Sequence, residues 1–138
     1  MRYGVCFDVD ALPKSVNDWR RGSGHWSIAA AERKRMSLAV AVAKVKSGVQ
    51  PVAGPVRVAL TFYWPTRRRR DPDNGAKHVL DAIVDAGLIE DDGPPTLVSL
   101  TLAARYDAEH PRTEITITEA DAPAWERAAK KGRRNIAA

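Results

Sequence analysis

The sequence predicts a mixed α/β (α+β) fold of one domain, its elements running β-α-β-α-β-β, and three observations carry that reading. The chain has 138 residues, enough to bury a core without disulfides or metal staples. Hydrophobic residues make up 44% and charged ones 28%, the balance of a folded globular domain rather than a disordered chain. Strict apolar alternation at two places frames two stretches of helical character, with further strand-like segments at the end.

Tyr3, Val5, Phe7 and Val9 alternate with Gly4, Cys6 and Asp8, which predicts a first strand. Residues 11–26 hold Pro13, Gly22, Gly24 and many polar groups and read as a loop. Ser27 can cap a helix that runs to about Lys46, rich in alanine and charged helix formers, and stops at Ser47-Gly48. A linker from Gln50-Pro51 to Gly54-Pro55 follows. Val56, Val58, Leu60 and Phe62 then alternate with Arg57, Ala59, Thr61 and Tyr63, the clearest strand in the chain.

Pro65 closes that strand. Asp73 or Asn74 is placed to cap a second helix from about 75 to 86, in which Ala76, Val79, Leu80, Ile83 and Gly87 follow a helical apolar spacing and Gly87 is the natural stop. Gly93-Pro94-Pro95 is a turn. Leu97–Tyr106 and Thr113–Thr118 read as strands, with Asp107–Pro111 between them as a hairpin connection. The domain is expected over 1–120, with a short helix and a basic tail over 121–138. No internal repeat or second domain is visible.

Net charge is +5 at pH 7 and the pI is near 9.7, which suits a polyanionic partner. The lone cysteine, Cys6, excludes an internal disulfide framework, and its place in an apolar run reads as a small buried hydrophobe. No apolar run is long enough to span a membrane, and Met1-Arg2-Tyr3-Gly4 opens no signal peptide, so a cytoplasmic protein is expected.

The chemistry concentrates in Arg67-Arg68-Arg69-Arg70-Asp71-Pro72-Asp73-Asn74 and in Glu90-Asp91-Asp92. Four guanidiniums attract phosphate backbone. Asp71 and Asp73, two apart in an extended or turn segment, project to one side. The helix carries the chain away by roughly 18 Å at 1.5 Å per residue. The steps from Gly87 to Asp92 return roughly 17 Å if extended. Asp92 can therefore come back beside Asp71 and Asp73, or a second subunit can supply it.

Three carboxylates within about 5 Å would repel pairwise by about 3 kcal/mol at an effective dielectric of 20, a conflict that a hard divalent cation such as Mg²⁺ or Mn²⁺ removes. Cys6, His25, His78 and His110 have no zinc-ligand spacing, and each histidine reads as an ordinary surface or loop residue. Lys77, four residues after Asp73, can lie on the same side and stabilise negative charge on a reacting phosphate. Its bland alternative is an i, i+4 pair with Asp81. Likewise D-P-D-N is a good helix cap and Glu90–Gly93 a good soluble turn. Taken together with the Arg run, a metal site is the favoured reading. Arg20-Arg21, Arg33-Lys34-Arg35, Lys44 and Lys46 could widen the basic footprint. Trp19, Trp26, Trp64 and Trp125 read as core or interface anchors.

The run from Arg68 to Lys77, R-R-R-D-x-D-N-x-x-K, followed by A-G-x-x-x-D-D from Ala86 to Asp92, resembles the RusA family of Holliday junction resolvases. Leu12–Trp19 is similar to that family's P-x-S-x-N-x-x-W segment, and the resemblance extends over roughly residues 5–118. It implies a RusA-like fold and a homodimeric, Mg²⁺-dependent endonuclease that cuts four-way junction DNA by paired nicks. It also implies Asp71, Asp73 and Asp92 as metal-binding carboxylates and Lys77 as the catalytic lysine. Asn74 and Asp91 fall on accessory positions and Arg70 on the basic residue before the first aspartate, while Pro72 replaces an aliphatic residue. The rival readings are a non-catalytic nucleic-acid-binding protein with an acidic capped helix, and a nucleotidyltransferase or other metal-dependent phosphodiesterase.

Overall fold

The computed structural model describes residues 2–14, 25–68, 73 and 75–123, with the backbone alone over 25–28. The expectations for Arg69, Arg70, Asp71, Pro72, Asn74, the loop 18–24, Trp19, Trp125, the side chain of Trp26 and the basic tail fall outside the described residues. The elements are β1 (Gly4–Val9), α1 (His25–Ser47), β2 (Val56–Trp64), α2 (Ala76–Asp85), β3 (Leu97–Tyr106) and β4 (Arg112–Glu119), the expected order of a mixed α+β fold.

The four strands form one sheet in the order β1-β4-β2-β3, with β3 parallel to β2 and β4 antiparallel to both β2 and β1. Alternation decides which face is buried. Val5 and Phe7 of β1 oppose Ile117 and Ile115 of β4, which in turn oppose Val58 and Leu60 of β2. These side chains form one continuous apolar surface with Val9, Val56 and Phe62. Met36, Val40 and Ala43 of α1 and Val79, Leu80, Ala82 and Ile83 of α2 complete that core. α1 packs on α2 and β1.

Three expectations are corrected. First, β3 and β4 are not a hairpin, because β2 lies between them. Residues 107–111 arch across the end of β2, where the Asp107 N–H donates to the Trp64 carbonyl at 2.8 Å. Within the arch the Asp107 carboxylate accepts bonds from the Glu109 and His110 N–H groups and from Arg112. Second, Cys6 is exposed, since the inward positions of β1 belong to Val5, Phe7 and Val9. Third, His78 is buried, at 9% exposure, on the inner face of α2. Burial, the largest influence, holds its imidazole below the usual pKa and so favours the neutral ring.

α1 starts at His25, two residues before the expected Ser27 cap, and ends where expected, at Gly48 with φ +67°. It is apolar on two sides. Leu38, Val42 and Val45 lie opposite the buried Met36, Val40 and Ala43 and are 66%, 46% and 81% exposed. Gly87 terminates the second helix as expected: its φ is +75°, its N–H bonds to Val84 and the Leu88 N–H to Ile83. It is exposed rather than part of the apolar face, and the next residues, Leu88 and Ile89, are buried in its place. Among the described residues no helix is long and apolar enough to cross a membrane.

Candidate functional site

The C-terminal ends of β1, β2 and β3 and the start of β4 share one end of the sheet, and the charged motif leaves β2 from there. Beyond Trp64, Thr66 to Arg68 lead toward Asp73, which is exposed, and α2 begins at Ala76. The helix cap differs from expectation. Gly75 occupies the N-cap position, and no side chain there makes a capping hydrogen bond. Asp73 is therefore not consumed as a cap.

The cause is a close approach. The ring of buried Pro13 lies so tightly on Gly75 that a Cβ there would fall 2.2 Å from Pro13 Cγ and 2.3 Å from Pro13 Cβ. Only glycine fits. The segment carrying Pro13 is itself clamped by α1. Glu32, 3% exposed, accepts a hydrogen bond from the Lys14 N–H at 3.0 Å and two from Arg35, at 2.9 and 2.6 Å. Arg35 also donates to the Leu12 carbonyl at 2.6 Å. A buried carboxylate on one helix thus fixes the chain that covers the start of the other.

The second acidic segment is anchored from behind. Leu88 and Ile89 are buried, and the Leu88 carbonyl accepts from the Val52 N–H at 2.8 Å. Glu90 accepts from the Gly54 N–H at 3.3 Å, and Asp91 caps the Asp92 N–H at 2.9 Å. With its root held, the turn returns to the first turn of α2: Lys77 Nζ donates to Asp92 Oδ2 at 2.7 Å and also contacts Asp81 Oδ1 at 3.2 Å. Lys77 and Asp92 are therefore brought together within one chain. The Lys77 hydrogen bond holds the Asp92 carboxyl below its ordinary range, against a smaller opposing effect of burial. Reciprocally, Asp92 and then Asp81 raise the Lys77 ammonium above its ordinary value. At neutral pH both partners are ionised.

The i, i+4 pair of Lys77 with Asp81 is present, and the same ammonium pairs with Asp92 as well. Asp81 is the acidic residue that sequence reasoning passed over, having counted it only as an i+4 partner. Asp92 and Asp81 on either side of one ammonium make a seat for positive charge built from hard oxygen donors, and those donors suit Mg²⁺ or Mn²⁺ chemically. Among the described residues no three His, Cys, Asp or Glu side chains form a ready ligand group, and Asp71 lies outside them.

Several basic residues have structural work instead of a place on a DNA footprint. Arg33 pairs with Asp85 at 3.2 Å, Arg35 with Glu32, and Lys44 donates to the Ala86 carbonyl at 2.8 Å. Arg67 and Arg68 are exposed, Arg67 lying over the Tyr106 ring.

The fold and the site define a small α+β protein that gathers arginines, a lysine and carboxylates at one end of a mixed sheet. The chain belongs to the family described as Endodeoxyribonuclease RusA, whose profile matches residues 8–118. Similar relatives carry the name crossover junction endodeoxyribonuclease RusA, from Escherichia coli strain K12 and from Shigella sonnei strain Ss046. Each is 37% identical over 68 residues, covering 49% of this chain and 55% of the relative. The matched segment thus spans about half the length of the curated relatives.

Proposed function

We propose that the protein is an endodeoxyribonuclease that resolves four-way DNA junctions as a homodimer by paired nicks, with Asp71, Asp73 and Asp92 holding Mg²⁺ (or Mn²⁺). The observation that carries this reading is the return of Asp92 to Lys77, 2.7 Å away in the first turn of α2, the helix that follows the Arg run and Asp73 in the sequence. When bound, the ion supplies Lewis-acid charge to the phosphate and favours attack by water. The chain's own residues do the rest. Arg67 to Arg70 and Asn74 draw the DNA backbone to the site without reading bases, so selectivity follows junction shape. Asp92, kept ionised by Lys77, stays ready to bind a cation near neutral pH. Lys77, whose raised pKa keeps it charged, stabilises negative charge that builds on the phosphate.

The homodimer follows from the near two-fold symmetry of a four-way junction, which calls for two symmetric cuts. The outer stripe of α1, Leu38, Val42 and Val45, is the surface offered for self-association.

The deciding experiment uses labelled four-way junction with Mg²⁺ or EDTA. Wild type is expected to nick the junction only with Mg²⁺. Asp73→Asn is expected to lose cleavage while binding the junction undiminished in EDTA. Cleavage by the purified Asp73→Asn protein would overturn the assignment. Junction binding by wild type with no metal-dependent nicking would instead favour a non-catalytic DNA-binding protein.

A further inference from the structure

A second feature lies at the same end of the sheet, outside the carboxylate motif. The last residues of β2 and β3 and the chain leaving β2 enclose an open hollow of about 320 Å³, lined by Trp64, Thr66, Arg67, Arg68, Ala104, Arg105 and Tyr106. Trp64 and Tyr106 are register partners, so alternation puts both rings on the same side of the sheet. Arg67 lies over the Tyr106 ring, 4.7 Å from its centroid, and Tyr106 remains 48% exposed. Arg105 belongs to the opposite register row and contributes at the rim. Among the described residues none that lines the hollow is acidic.

We infer that this hollow is a subsite for one unpaired nucleotide of a DNA strand, its base stacked on the Tyr106–Arg67 pair and its phosphate facing Arg68 and Arg105. The inference rests on the DNA-cleaving reading above and adds a base-binding element to it. Three features select this occupant. A bare phosphate needs only donors, whereas two aromatic rings and a stacked guanidinium offer flat surface to a base. A hollow of about 320 Å³ has room for a single base. The charged side chains among the described lining residues are all arginines, which favours a ligand that carries phosphate. Arg68 and Asp73 are separated by at most about 17 Å of chain. A nucleotide held here lies only a few positions along the strand from the phosphate at the carboxylates. The subsite therefore rewards DNA whose bases are unpaired next to the cut, as at the exchange point of an opened junction.

The test measures binding in EDTA, where no cleavage occurs. The ligands are a fluorescent four-way junction with two unpaired nucleotides at the exchange point and a fully paired duplex of the same length. Tyr106→Ala and Arg67→Ala are compared with wild type, and Tyr3→Ala, a substitution at the far end of the sheet, serves as control. The expected result is a roughly ten-fold loss of affinity for the open junction in Tyr106→Ala, the scale of one lost base stack. Arg67→Ala should weaken both ligands, and the open junction more. The duplex affinity of Tyr106→Ala should equal wild type. A base analogue such as 2-aminopurine at the unpaired position should be quenched by wild type and not by Tyr106→Ala. Equal loss on both ligands, or unchanged quenching, overturns the subsite. If that happens while wild type still nicks junctions with Mg²⁺, the subsite falls and the nuclease reading stands. If Tyr106 behaves as expected but Mg²⁺ produces no nicking, the nuclease reading falls and the subsite stands.

Discussion

Gly75 shows how a single missing side chain shapes this site. With Pro13 Cγ 2.2 Å from where a Cβ would stand, Gly75→Ala forces either the Pro13 segment or the start of α2 to move. Overpacking of this kind costs about 1–3 kcal/mol. The expected outcome is a urea midpoint lowered accordingly and junction cleavage lowered further, because Asp73 and Lys77 flank the displaced turn. Pro13→Gly in the same chain should recover part of the loss, a coupling that a double-mutant cycle measures. Additive effects would show that the two residues do not meet. The motif's composition alone pointed to Asp73 or Asn74 as the cap, because both side chains suit that role. The actual cap could not be read locally, since it depends on Pro13, 62 positions earlier in the sequence. Asp81 was hidden for a related reason: an i+4 spacing explains a Lys–Asp pair so well that a second acid from another segment is not sought. The return of Asp92 to the start of α2, by contrast, was legible from lengths as one of two readings, because the outward run of the helix and the return from Gly87 nearly cancel; its pairing with Lys77 was not expected.

Among the elements, those with one buried face were readable and the pairing between them was not. β2 and α2 announce themselves through period and stop signals. The arch over residues 107–111 misleads, because a short connection fixes only the distance between its ends. One intervening strand separates those ends by roughly 10 Å, which five residues span with ease. The clamp from α1 to residues 12–14 supplies a pH prediction. Burial, the largest influence, pushes the Glu32 carboxyl up, but the Arg35 and Lys14 hydrogen bonds and charges outweigh it and leave it below its ordinary value. A carboxyl depressed on folding stabilises fully above its unfolded pKa, about 4.3, and that contribution is lost as pH falls through the lower folded value. Glu32→Gln should therefore lower stability at pH 7 and flatten the acid limb of the stability curve below pH ~4.5, as followed by urea unfolding across pH. A variant whose acid limb keeps the wild-type slope would remove Glu32 from that role.

For the molecule as a whole, the outer stripe of α1 connects fold to assembly. Leu38→Glu with Val45→Glu changes side chains that touch little within one chain, so the fold should lose no more than about 0.5 kcal/mol. Sedimentation should nevertheless report a dimer for wild type and a monomer for the double variant, with paired nicking on a junction replaced by single nicks. A wild-type monomer would remove the dimer from the proposal, and a dimeric double variant would move the interface elsewhere.

The position of β4 has a further consequence for how the chain matures. Among the described residues, the last strand in the sequence sits inside the sheet and is the one strand that pairs with β1. On the ribosome, the first strand must wait for more than a hundred residues before its neighbour exists. A nascent chain stopped short of Arg112 keeps β1 unzipped and both sides of the central gap open to other chains. Stalled or truncated products should accordingly be protease-sensitive and prone to aggregate, with protection arriving abruptly once residues 112–119 emerge.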